Sequence, residues 1–65
     1  MQVALIGGTM VDIDNISVIA AAKNPEHSVV HLREPRRGRI TLPLAMAEVV
    51  EAVTEARLLA ELRAG

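Results

Sequence analysis

The chain has 65 residues, a formal net charge of −1, no cysteine and no Phe, Tyr or Trp. That length holds one domain, residues 1–65, and the composition excludes disulfides, thiolate metal sites and a core built on aromatic rings. The longest unbroken apolar run is VIAAA at Val18–Ala22, far short of the roughly 20 residues of a membrane span.

The start of the chain has no basic segment followed by an apolar core, so a cytoplasmic protein without a membrane partner is expected. A chain of this size buries only about 60% of its unfolded surface. Domains this small usually need a disulfide, a metal or another subunit. Here 51% of the residues are hydrophobic, yet none is aromatic. A homo-oligomer is therefore expected. Charge is uneven along the chain: Met1–Ala22 carries −2, Lys23–Arg39 carries +3 and Ile40–Gly65 carries −2. Six of the seven basic residues are Arg, a weak sign of a GC-rich bacterial or phage genome.

Gln2–Ile6 reads as a first strand. The paired glycines Gly7-Gly8 then supply the positive φ of a tight hairpin turn. Thr9–Ile13 alternates, with Thr9, Val11 and Ile13 on one face and Met10 and Asp12 on the other, as in a half-buried strand. Asp14-Asn15 opens a turn, because both side chains can bond the following backbone. Ser17–Ala22 is a third strand, KNPEH a loop around Pro25, and Ser28–Glu34 a fourth strand. In PRRG, Pro35 ends that strand and Gly38 permits the bend into a fifth, Arg39–Leu42.

Pro43 suits a first helical position, where its missing N–H costs nothing. Residues 44–63 contain no Gly or Pro and are mostly good helix formers. No Ser, Asp or Asn stands ready as a cap. Met46, Val49, Val50, Val53, Ala56 and Ala60 form a stripe to pack on the sheet. Leu58, Leu59 and Leu62 widen the apolar surface. A helix of about 20 residues is about 30 Å long, against about 20 Å for a small sheet, so its last turns should overhang. Exposed leucines there would seek another subunit. The expected fold is α+β: one small, mostly antiparallel sheet of four or five strands and one C-terminal helix over residues 44–63.

The pieces LIGG (Leu5–Gly8), DIDNI (Asp12–Ile16), NPEHSVVHL (Asn24–Leu32), GRITL (Gly38–Leu42) and AEVVEAV (Ala47–Val53) occur in that order. This order resembles the small flagellar and swarming-motility proteins of the FlbD/SwrD family, over most of the chain up to Val53. The resemblance implies the same fold and a non-enzymatic interaction or scaffold role, with a protein partner. It carries over no catalytic residue. PRRG stands where the family has a compact glycine turn, and Leu58–Leu62 where the family has a polar tail.

The chemistry-bearing residues concentrate in REPRRGR, four arginines in seven residues. Guanidinium forks bind phosphate or carboxylate bidentately. Arg33, Arg36, Arg37 and Arg39, with His31, are thus candidate ligands for a small anion such as a nucleotide. They read equally as a solvated turn that discourages edge pairing. They could also pair between subunits with Glu48, Glu51 and Glu55, spaced i, i+3, i+7 on one helix face. Long nucleic acid fits poorly, since the net charge is negative and no ring can stack on bases.

Gly7-Gly8 is followed by no phosphate-loop pattern and reads as a turn. Asp12 and Asp14 could hold a cation, but acids at i, i+2 beside a turn are ordinary structure. His27 and His31 have no companion ligands and no nucleophile. No enzyme, metal or cofactor is expected.

Overall fold

A computed structural model describes residues 2–64. The elements are β1 (Val3–Ile6), β2 (Thr9–Asp12), a 3₁₀ turn (Ile13–Asn15), β3 (Ile16–Ala21), β4 (Ser28–Leu32), β5 (Arg39–Leu42) and α1 (Met46–Ala64). All neighbouring strands pair antiparallel. The class is α+β, with five strands and one C-terminal helix. The strands do not form the single sheet expected. β1-β2 is a two-stranded hairpin and β3-β4-β5 a separate three-stranded sheet.

The break between the sheets lies at the 3₁₀ turn. Asp12 closes β2 by accepting the Asp14 N–H on Oδ1 at 3.1 Å, which caps the 3₁₀ turn. Asp14 Oδ2 accepts the Gln2 N–H at 3.1 Å, and the Ile13 N–H bonds the Gln2 carbonyl. The turn is thereby tied to the start of β1, and the chain leaves it in a new direction. Both aspartates are thus engaged in structure. Ile13 remains buried, as its place in the alternation predicts.

The β1-β2 connection is a two-residue loop between Ile6 and Thr9, which face each other in register. Gly7 and Gly8 have φ of 57° and 82°. Positive φ at both central positions is the requirement of a type I′ turn.

The core is Ile6, Val11, Ile13, Ile16, Val30, Leu42, Val49 and Val53, with Ala4, Ile19, Leu32, Ile40, Leu44, Ala52 and Ala56 packed around it. It lies between the hairpin, the inner face of the three-stranded sheet and α1. No buried side-chain N or O among the described residues lacks a hydrogen-bond partner.

The helix begins at Met46 rather than Leu44. The carbonyl of Leu44 is taken by the Ser28 hydroxyl at 2.8 Å, and the first helical bond runs from the Val49 N–H to the Ala45 carbonyl at 3.1 Å. Pro43 therefore stands before the helix, outside its first turn. The predicted stripe is also narrower. Val49 and Val53 are buried, whereas Met46 and Val50 are exposed. At 100° per residue they lie about 60° and 100° around the helix from Val49, at the edge of the core-facing arc. Ala52 packs on the core instead.

Candidate functional site

The arginine segment is the connection between β4 and β5. β4 ends at Leu32, earlier than expected; the Arg33 N–H still bonds the carbonyl of the opposite residue, Asn15, at 2.8 Å, but Asn15 belongs to the 3₁₀ turn and not to β3. Pro35–Gly38 is a closed turn: the Gly38 N–H donates to the Pro35 carbonyl at 2.7 Å, and the Leu32 N–H to the Gly38 carbonyl at 2.8 Å. The residue with positive φ is Arg37, at 70°, and not Gly38 as its sequence suggests. Gly38 is required for space, since a Cβ there would sit 2.8 Å from the Pro35 carbonyl oxygen.

Asn15 holds this turn to the body. Its Oδ1 accepts the Glu34 N–H at 3.0 Å, and its Nδ2 donates to the Glu34 carbonyl. One amide side chain thus satisfies both backbone groups of a residue 19 positions away.

Register decides which side chains meet. Val18, His31 and Arg39 are directly opposite one another across β3, β4 and β5. They lie on the sheet face that points away from the core, because Val30, Leu42 and Ile40 occupy the other face. His31, Arg37 and Arg39 line one open hollow on this outer face. Arg33 and Arg36 are exposed but do not line it. Among the described residues, no side chain of these four arginines is in a hydrogen bond. Arg57 differs: its Nη2 reaches the Ile13 carbonyl at 3.5 Å. The hollow thus offers two guanidinium groups and an imidazole, a donor set that matches the oxygens of a phosphate or carboxylate.

The residues expected at an interface lie elsewhere. Leu58, Leu59 and Leu62 are 55%, 49% and 70% exposed. Glu48, Glu51 and Glu55 are exposed as well. The last turns do not project free of the body throughout, because Leu59, Ala60 and Arg63 line a groove opposite Gln2, Val3 and Ala4. A further apolar surface is on the hairpin. Leu5 and Met10 are paired in register on its outer side and are 67% and 62% exposed.

Among the described residues no group of three or more His, Asp or Glu is placed to hold a metal ion. No described helix is long and apolar enough to cross a membrane. Sequence reasoning missed Asn15, Ser28 and Arg57, whose roles depend on partners 16 to 44 residues away. Only Asn15 left a signal, as an amide in a turn. The comparisons with known proteins found no family model, no curated protein and no solved structure that matches the chain.

Proposed function

We propose that this is a non-enzymatic, homo-oligomeric interaction protein that works through its assembled surface, the scaffold role that the FlbD/SwrD resemblance implies. The reading rests on one observation, the apolar surface that the single chain leaves uncovered. A folded chain of 7.0 kDa has about 4,000 Å² of accessible surface by the usual scaling with mass. This one has 4790 Å². The excess, about 750 Å², is surface of every kind, and large apolar side chains stand in it, Leu58, Leu59, Leu62, Leu5 and Met10 being 49–70% exposed. Val3, Val18, Met46 and Val50 are exposed as well. Burying them on further copies would stabilise a core that lacks aromatic rings.

The test is solution mass by light scattering over a range of concentrations. An assembly larger than one chain supports the proposal, and a chain that stays monomeric at every concentration overturns it. The host location is proposed to be the cytoplasm.

A second reading is favoured by the hollow between His31, Arg37 and Arg39. The assembled protein would hold a small anion, such as a nucleotide, there. Titration calorimetry with ATP and with inorganic phosphate tests it. Binding that disappears in Arg39→Gln supports the site; absence of heat with either probe removes it.

A further inference from the structure

Two surfaces of the chain are chemically matched and face away from each other. The first is the outer face of the three-stranded sheet. Its row Val18, His31, Arg39 is followed by the row Ala20, Val29, Thr41. Val18, Arg39 and Thr41 are exposed, Val18 at 54%, and Ala20, Val29 and His31 are half-buried. With Arg37 beside the first row, this face is basic at one end and apolar at the other.

The second surface is the outside of α1. At 100° per residue, Glu51, Glu55, Leu58 and Leu62 fall about 180–240° around the helix from the buried Val49, and all four are exposed. Glu48 flanks them. This face is acidic over its first half and leucine-rich over its second.

The core separates the two surfaces, because Val49 and Val53 face it from the helix and Val30 and Leu42 from the sheet. One neighbour therefore cannot engage both. A contact between the acidic helix face of one copy and the basic sheet face of the next is heterologous, and such contacts build rings or filaments instead of two-fold dimers. Opposite charge favours this docking and disfavours helix on helix or sheet on sheet, where like charges would meet.

Resting on the proposal that the protein is a homo-oligomer, we infer that its copies join head to tail. The Glu51 and Glu55 side of one α1 lies on the Arg37 and Arg39 side of the next sheet, and Leu58 and Leu62 lie against Val18 and Val29. The assembly contains three or more copies. The arginine cluster is then a contact between subunits, and a small anion would compete with it.

The test is charge reversal. Glu51→Arg with Glu55→Arg makes one variant, and Arg37→Glu with Arg39→Glu the other. All four positions are exposed, and far-UV circular dichroism checks that each variant folds. Each alone should run as a single chain, and an equimolar mixture should regain species larger than two copies. Raising salt from about 0.05 M to about 0.5 M should weaken the wild-type assembly, since exposed pairs are screened. The inference is overturned if both variants assemble as the wild type does, if the mixture stays monomeric, or if the wild type weighs two copies. If a variant does not fold, wild-type assembly that is indifferent to salt overturns it instead. An assembly that persists through charge reversal leaves the homo-oligomer standing without this interface. A wild type that is monomeric throughout removes both.

Discussion

Asn15 is where the hairpin, the three-stranded sheet and the arginine turn are tied together, and its removal should be felt in both stability and geometry. Asn15→Ala deletes two hydrogen bonds to the Glu34 backbone and leaves the one from the Arg33 N–H to the Asn15 carbonyl. A typical intramolecular hydrogen bond contributes about 0.5–1.5 kcal/mol net. Glu34 is exposed and Asn15 half-buried, so water can replace part of what is lost. The lower half of that range applies, about 1–2 kcal/mol for the pair. For a domain of this size each kcal/mol shifts the melting temperature by about 4–8 °C, so a drop of about 5–15 °C is expected. The chain has no aromatic side chain, so intrinsic fluorescence is of no use. The assay is far-UV circular dichroism, at equal protein concentration because assembly raises apparent stability. Amides of the β4–β5 turn should also exchange hydrogen faster. A melting temperature unchanged within about 1 °C would refute the reasoning: it would mean that the turn keeps its place without the clamp.

Leu42 is fully buried, and Leu42→Ala should cost about 3–4 kcal/mol. With about 3–10 kcal/mol available to 65 residues, urea unfolding should show a variant near the limit of folding; a loss under about 1 kcal/mol would mean that the core is looser than described. Gly8→Ala places a side chain at φ of 82° with nothing within 4 Å, so strain alone should cost about 1–2 kcal/mol. Gly7→Ala adds a Cβ 3.2 Å from Pro43 Cδ and 3.3 Å from Leu44 Cδ1, so it should cost more than Gly8→Ala in the same thermal melts, and the reverse order would contradict the turn geometry. Leu62→Glu puts a charge on the outer face of α1 at a residue 70% exposed in the single chain and should reduce the assembled mass in light scattering while leaving helicity intact; an unchanged mass would exclude that end of the helix from the interface.

Much of this fold was legible in the sequence, because its signals are local. Gly7-Gly8 announced its hairpin because few residues other than glycine accept two successive positive φ values. The alternation of Val11 and Ile13 gave the inward side correctly. What stayed hidden was non-local. The division into two sheets depends on Gln2 bonding to Asp14 and Ile13. The helix starts late because Ser28 holds the Leu44 carbonyl. Periodicity assigned Met46 and Val50 to the core stripe, yet the helix orientation leaves them outside.

For the site, the cluster REPRRGR was visible as composition. Which arginines converge was not. That follows from the register that sets Arg39 opposite His31, and from the turn that turns Arg37 toward them. Leu58, Leu59 and Leu62 are exposed as expected, but not through the overhang that helix length suggested, since Leu59 lines a groove against the start of β1. The outer pair Leu5 and Met10 was not singled out, because alternation marks them only as the solvent side of a hairpin.

The most direct test of the central claim is native mass spectrometry of the protein taken gently from its cells. The account predicts an integral multiple of the chain mass, three or more, that falls apart when Leu62 is replaced by Glu. A single chain mass, at concentrations well above those in the cell, would contradict it.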